Sequence, residues 1–148
     1  MTDLKTRILD ATKAAMKARD KVRVGTLRLV NAEMKRLEVD ERRELTDADV
    51  IAVLTRMLKQ RNDSLSQFTS AGRSDLADQE AYEISVIESF MPEPLNEAEL
   101  DELVTAAIAA TGAASVRDMG KVMAQIKEAA AGRADMGAVS ALVKARLG

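Results

Sequence analysis

The sequence predicts an all-α protein of seven helices. Only 2% of the 148 residues are aromatic, and Ala, Leu, Glu, Lys and Arg are abundant, a composition that favours helices. Apolar residues recur at intervals of three and four positions along the chain, as expected for amphipathic helices. The segment "MPEPLN" contains two prolines, Pro92 and Pro94, neither of which suits a helix interior. We therefore expect a domain boundary there, between residues 1–91 and 95–148.

Four helices are predicted before the prolines. The first two cover residues 3–17 and 20–39. Thr46 begins the third, because Asp49 completes a capping box, and this helix ends before Gly72. Ser74 is predicted to cap the fourth, which ends before Pro92. The expected inward-facing residues are Leu4, Ile8, Ala11 and Ala15; Val24, Leu27, Val30, Met34 and Leu37; Val50, Leu54, Leu58, Leu65 and Phe68; and Ile84, Ile87 and Met91.

Three helices are predicted after the prolines. Asn96 with Glu99 begins the fifth, which ends at Gly112, and Ser115 with Asp118 begins the sixth. Gly132 ends the sixth in a left-handed conformation, and Asp135 caps the seventh. The expected inward-facing residues are Leu100, Leu103, Ala107 and Ile108; Val116, Met119, Val122, Met123 and Ile126; and Val139, Leu142, Val143 and Leu147.

The composition excludes several kinds of chemistry. The chain has no His and no Cys, which removes Ser–His and Cys–His nucleophiles and Cys/His zinc sites. We expect no catalytic residue, no cofactor and no metal ion. No apolar run approaches the roughly 18 residues that span a bilayer, and the N-terminus "MTDLKTR" lacks a signal-peptide core. A cytoplasmic protein without membrane association is predicted.

Charge is distributed in blocks. From Lys5 to Arg36 there are ten basic and three acidic residues, a balance of +7, whereas Ser74 to Glu102 carries ten acidic residues and no basic one. Leu103 to Gly148 returns to +3. Such blocks either neutralise each other inside the molecule or meet charged partners outside it.

The first candidate site is a basic helix face. Lys21, Arg28 and Lys35 recur every seven residues and therefore share one face, with Arg19, Arg23 and Arg36 beside them. A surface of this kind can follow an RNA phosphate backbone. The alternative, which the acidic pI of 5.3 favours, is a solvated face paired with the acidic Ser74–Glu102 segment.

The second candidate site is the corner before the last helix, in "GRADMGAVSALVK". Helix starts near Lys121 and Arg133 offer free N–H groups that suit a phosphate, and Lys144 lies in the last helix. Gly120 and Gly137 fall inside helices, where glycine costs about 1 kcal/mol relative to alanine. We expect another backbone to approach them, a neighbouring helix rather than a ligand. The alternative is a plain three-helix bundle. The remaining residues of this corner are Lys127, Gly132 and Arg146.

The third candidate is a polar patch, Arg61 and Asn62, where the apolar stripe of the third helix expects a buried residue. A polar group on such a stripe is hydrogen-bonded or faces a cleft. The favoured interpretation is an ion pair with Asp78, Glu80 or Glu83. Asp75, Glu80 and Glu83 could also form a catalytic carboxylate set, although exposed acids on a solvated face are the favoured interpretation.

Several phrases in order resemble the YqeY family over nearly the whole chain: "DKVRVGTLRLVNAEMK", "RMLKQRNDSLSQF", "AGRSDLADQEAYEISVIESFMPEPL", "MGKVM" and "GRADMGAVSALVK". This family is related to the C-terminal tail of the B subunit of the glutamine-dependent aspartyl/glutamyl-tRNA amidotransferase, which contacts tRNA. The resemblance implies two small helical bundles, of three to four and of three helices, joined by a partly helical linker.

The resemblance also implies a function. We expect a module that binds tRNA or a protein partner of tRNA aminoacylation or amidation, without the catalytic domains of the amidotransferase. A protein–protein adaptor with no RNA contact is the alternative. A third possibility, a carbon–nitrogen ligase with glutamine as amido donor, is the family's label, but no Gly-rich phosphate loop or nucleophile motif accompanies it here.

Overall fold

The computed structural model describes residues 3–130 and 132–148. Within them it contains seven α-helices and no strand, which confirms the all-α class. A short 3-10 helix, Val116–Asp118, precedes the sixth helix. The chain forms two compact units that divide between Met91 and Pro92. The helices are α1 (Leu4–Lys17), α2 (Lys21–Glu41), α3 (Asp47–Ser70), α4 (Ser74–Glu88), α5 (Glu97–Thr111), α6 (Met119–Ala130) and α7 (Met136–Leu147).

In the first unit, α1 and α2 pack against each other as a pair. Each begins at an aspartate: the Asp3 carboxylate accepts the Thr6 N–H at 2.7 Å, and Asp20 accepts the Arg23 N–H at 3.1 Å. Between the helices, Asn31 Nδ2 donates to Thr12 Oγ1 at 3.0 Å. The two aspartate caps supply acceptors for N–H groups that no earlier turn can satisfy.

The start of α3 is the predicted capping box. Thr46 Oγ1 accepts the Asp49 N–H at 3.3 Å, while Asp49 accepts the Thr46 N–H at 2.8 Å. Arg43 adds two further hydrogen bonds to Asp49, at 2.6 and 2.9 Å. The hydrogen bonds from Arg43 and Thr46 hold the pKa of the Asp49 carboxyl well below its usual range.

Two predictions for this unit are wrong. Leu65 and Phe68 are only half-buried and lie outside the core, and the buried residues of α3 end at Met57. Ser74 is the first residue of α4 rather than its cap, and Arg73 precedes it without a side-chain capping bond. α4 does end ahead of Pro92, at Glu88.

The core of the first unit is built from all four helices. It contains residues of the predicted stripes of α1 and α2 together with residues of α3 and α4. Phe90, which follows α4, is also buried in it. The fully enclosed large side chains of this core are Ile8, Leu27, Val30, Met34, Val50, Leu54, Met57 and Ile87.

The second unit packs α5, α6 and α7 around a smaller core. α5 begins with the predicted capping box, in which Asn96 Oδ1 accepts the Glu99 N–H at 2.8 Å, and ends at Gly112 with φ 66°. The stripe of α5 centres on Val104 instead of Leu103, which does not belong to the core. The buried residues of this core are Val104, Ala107, Val122, Ile126, Val139 and Val143.

The start of α6 differs from the prediction. Ser115 makes no side-chain capping bond, and the 3-10 helix intervenes before Met119. Instead, the Asp118 carboxylate accepts the Ala114 N–H at 3.0 Å. Val116, at 43% exposure, does not join the apolar stripe, because it lies in this 3-10 turn and not in α6.

The corner between α6 and α7 agrees with the prediction. Gly132 has φ 79°, a left-handed conformation that glycine adopts without steric cost. The Asp135 carboxylate accepts the Gly137 N–H at 3.2 Å and so caps α7. The segment "GRAD" is therefore a helix stop followed by a helix start.

Candidate functional site

The basic face of α2 is the most open of the three candidates. Lys21, Arg28 and Lys35 are all exposed. Seven residues of α-helix advance by roughly 10 Å, so the three cations form a line about 20 Å long. Arg36 is exposed beside them, and Arg23 is half-buried.

Several carboxylates of this unit are paired with cations outside the line on α2. Glu83 bonds Arg61 at 3.0 Å and Asp75 bonds Arg73 at 3.3 Å, while Glu38 bonds Lys5 at 2.9 Å. Within the described part of the first unit, no ion pair joins the acidic Ser74–Glu88 stretch to Lys21, Arg28 or Lys35. The interpretation in which the acidic segment pairs with this face therefore finds no direct ion pair in this unit, although Lys21 and Glu83 line the same cleft between α2 and α4.

The C-terminal corner is already engaged in its own contacts. Arg133 Nε donates to the Glu93 carbonyl at 2.7 Å, and its guanidinium lies 3.7 Å from Glu99. The Arg133 carbonyl accepts the Leu95 N–H at 2.8 Å. These bonds fasten the proline-containing segment to the α6–α7 corner. The Nε, the guanidinium and the backbone carbonyl of Arg133 thus already have partners within this unit.

Carboxylates also occupy the two helix starts of this corner. Asp135 stands at the start of α7, and Asp118 stands just before α6. The hydrogen bond from the Ala114 N–H lowers the pKa of Asp118. A phosphate would meet negative charge at both places. Lys121 and Lys144 remain exposed, so the role of this corner in RNA binding stays a prediction that depends on those two lysines.

The expectation that a neighbouring helix closely approaches Gly120 and Gly137 is wrong within this unit. A Cβ added at Gly120 would meet no heavy atom within 4 Å, and one at Gly137 would meet only the Asp135 cap, at 3.6 Å and beyond. Both glycines are exposed. Helix packing therefore does not require glycine at either position.

The polar patch of α3 forms the predicted ion pair. Arg61 Nε donates to Glu83 Oε2 at 3.0 Å, and the two side chains are 15% and 12% exposed. Asn62 is exposed and donates to the Leu58 carbonyl of its own helix. The patch is thus a structural ion pair between α3 and α4, with Asn62 outside it.

Glu80 lies beside this pair, and its Oε2 is buried without a hydrogen bond from any described residue. Burial and the nearby charge of Glu83 raise the pKa of Glu80. The expectation that Glu80 and Glu83 are exposed acids on a solvated face is wrong, because both carboxylates face the α3–α4 contact. Asp75 is exposed, as expected.

Two clefts border the basic face. One, of about 550 Å³, lies between α2 and α4 and includes Lys21, Val22, Gly25, Leu29 and Tyr82. The other, of about 320 Å³, lies between α1 and α2 and includes Leu9, Asn31 and Lys35. Sequence reasoning missed the exposed apolar pair Val22 and Leu29. The feature that could have revealed this pair is the seven-residue spacing of Val22 and Leu29, which lie outside the buried stripe of α2.

None of the helices in residues 3–130 and 132–148 combines the length and apolar character needed to cross a bilayer. A protein from Pyrenophora tritici-repentis, altered inheritance of mitochondria protein 41, mitochondrial, is 27% identical over 82% of this chain and 68% of its own length. The protein of that name from Kluyveromyces lactis is 34% identical over 53% of this chain and 43% of its own length.

An uncharacterized protein from Schizosaccharomyces pombe is 32% identical over 61% of this chain and 70% of its own length. The family profile described as Yqey-like protein matches residues 5–147, which includes every helix of both units apart from the first residue of α1. Together with the all-α fold, this match shows that the chain belongs to the YqeY-like protein family.

Proposed function

We propose that this chain is an RNA-binding module whose ligand is tRNA, held through the exposed cationic line of α2. The observation that carries the proposal is that Lys21, Arg28 and Lys35 are exposed at regular spacing while nearby carboxylates bond other cations. Rows of lysine and arginine that displace counterions supply most of the sequence-independent affinity for nucleic acids. The resemblance to the tRNA-contacting tail of the amidotransferase supports tRNA as the RNA.

The recognition would use backbone and shape instead of base stacking. The chain has three aromatic residues. Phe90 is buried in the core, and Phe68 and Tyr82 are half-buried. Stacking on unpaired bases needs exposed aromatic platforms. A folded RNA that presents phosphates in a fixed arrangement is therefore a better ligand for this surface than a single strand.

The test is a filter-binding titration of tRNA at increasing salt. We expect affinity to fall steeply with ionic strength and Arg28→Ala with Lys35→Ala to reduce the salt slope by about 2, roughly 1 for each phosphate that is no longer neutralised. The matched control, Arg7→Ala with Lys59→Ala, removes two exposed cations from α1 and α3 and should change the slope by less than about 1. Equal effects of both pairs would contradict the assignment to α2.

The C-terminal corner is tested separately. Lys121→Ala with Lys144→Ala removes the two exposed lysines without touching the Arg133 bonds. If this corner also meets phosphates, retention of tRNA falls with this pair, whereas unchanged retention excludes the corner. The compartment stays a prediction, cytoplasmic from the sequence, whereas two fungal relatives are mitochondrial by name.

A further inference from the structure

The cleft between α2 and α4 exposes apolar side chains that the fold does not cover. Val22 is 63% exposed and Leu29 is 46% exposed. Both line the 550 Å³ cleft together with the half-buried Tyr82 of α4. Val22 and Leu29 stand about 10 Å apart along α2, which is two helical turns. Covering these two side chains with an apolar surface of another molecule would remove them from water, which is favourable.

Gly25 lies between Val22 and Leu29 and leaves the middle of the cleft empty. It is an interior residue of α2, where glycine costs about 1 kcal/mol relative to alanine. A Cβ at this position would meet no heavy atom within 4 Å, so packing inside the unit does not require glycine. The missing side chain lets a second backbone approach α2 closely.

The α2 edge of the cleft is positively charged. Lys21 lines one end of it, and Arg28 and Lys35 continue along the adjacent row of α2. Glu83, on the α4 side, already accepts a hydrogen bond from Arg61 at 3.0 Å. An occupant therefore meets exposed cations along one edge and a compensated carboxylate on the other.

We propose that this cleft docks an amphipathic helix of another protein. That helix carries apolar residues at positions i, i+3 or i+4, and i+7, and acidic residues along one edge. A groove between two helices receives a third helix in this way, with its apolar face inward. The charge complementarity selects an acidic partner, since its carboxylates would pair with Lys21 and Arg28. The docking goes beyond RNA binding, because RNA has no apolar side chains to cover Val22 and Leu29.

The test is a selection of displayed helical peptides against the intact chain. We expect the enriched peptides to share the apolar spacing and at least two acidic residues along one edge. The best one, synthesised with a fluorophore, is then titrated by anisotropy. Gly25→Leu, which fills the cleft, should weaken its binding at least tenfold. Ala32→Leu is the matched control, a leucine introduced one heptad along α2 and outside the cleft lining, and should alter binding less than twofold.

Several outcomes would overturn the proposal. These are no enrichment, enrichment of peptides without acidic residues, or equal effects of the two leucine variants. Gly25→Leu should also leave the salt slope for tRNA unchanged, and an equal loss of tRNA binding would assign the cleft to the RNA surface. Self-association of the wild-type chain that Gly25→Leu abolishes would identify a second copy as the occupant. Failure of tRNA to bind would leave the peptide result standing, so the two proposals fail separately.

Discussion

The glycines of this chain serve two different purposes at the residue scale. Gly72, Gly112 and Gly132 have φ between 66° and 79°, where side chains are strained, and each follows a helix. Gly25 and Gly120 lie within helices with open space at the Cβ position. Only the first group is required by the backbone. The helical glycines cost stability without an internal reason, which is consistent with a role at a surface that meets another molecule.

We expect Gly25→Ala to raise the free energy of unfolding of the first unit by about 1 kcal/mol, because it removes backbone entropy from the unfolded chain without a clash. Gly72→Ala in the same unit should lower it by about 1 to 2 kcal/mol, the cost of a left-handed alanine. Urea denaturation followed by circular dichroism measures both. A loss of stability in Gly25→Ala would mean that a neighbouring group occupies the space.

The environment of Glu80 predicts that the free energy of unfolding depends on pH. The pKa of Glu80 is raised in the folded chain by burial and by Glu83. The folded state therefore holds this proton more tightly than the unfolded state, and the contribution to stability falls as pH rises above the ordinary glutamate value of 4.5. Glu80→Gln should raise the free energy of unfolding at pH 7, and the gain should vanish toward pH 4.

The control is Asp78→Asn, an exposed carboxylate of the same helix, which should change stability by less than about 0.5 kcal/mol at either pH. Denaturant titrations of the wild type and both variants at pH 4 and 7 give the change in the free energy of unfolding for each variant at each pH. A gain for Glu80→Gln that is the same at both pH values would show that hydrogen bonding by the amide, and not the ionisation of Glu80, controls the effect.

At the scale of the helix, local capping signals were the most predictable part of the fold. The boxes at Thr46 and Asn96 formed as expected, because a few residues of sequence contain the donor, the acceptor and their spacing. Ser74 and Ser115 do not act as predicted, since Ser74 is the first residue of α4 and Ser115 precedes the 3-10 helix without a side-chain capping bond. The cleft, the Glu80 environment and the bonds of Arg133 depend on contacts between distant helices or segments, which periodicity alone does not specify.

Arg133 gives a prediction at this scale. Its bonds to the Glu93 carbonyl and the Leu95 N–H hold the segment before α5 against the α6–α7 corner. Arg133→Ala removes the side-chain bond and should lower the free energy of unfolding of the second unit by about 1 kcal/mol. Lys144→Ala, an exposed change in α7, should have an effect below about 0.5 kcal/mol. Thermal unfolding of both variants, compared at matched salt, separates them. Equal stabilities would show that the bond contributes nothing net.

At the scale of the whole molecule, the described ion pairs form within each unit. Arg61 and Arg73 bond acids of the first unit, and Arg133 and Arg146 bond acids of the second. Four of the ten acidic residues of the Ser74–Glu102 segment thus pair with nearby arginines, while the line on α2 stays exposed. Summing charge along the sequence identified both blocks. It could not tell which cations the carboxylates would contact, because most of these pairs are made between separate helices or segments.

The two compact units lead to a prediction about cooperativity. The core of the second unit consists of alanine, valine and one isoleucine, whereas the first contains several leucine, isoleucine and methionine side chains. Smaller side chains remove less apolar area from water, and a domain of fewer than about 60 residues is marginally stable. We therefore expect unfolding of the intact chain in two steps, with the second unit first.

Hydrogen exchange in increasing urea measures the order of these steps, because amides of α6 and α7 report the second unit and amides of α2 report the first. Val30→Ala should lower only the free energy of the later unfolding step, by about 2 kcal/mol or more, since Val30 is fully buried in the first core. Ile126→Ala, at a fully buried position of the second core, is the matched change and should lower only the earlier step. If both variants shift every amide together, the chain unfolds as one cooperative unit, and the domain boundary predicted at Pro92 and Pro94 is wrong in the thermodynamic sense.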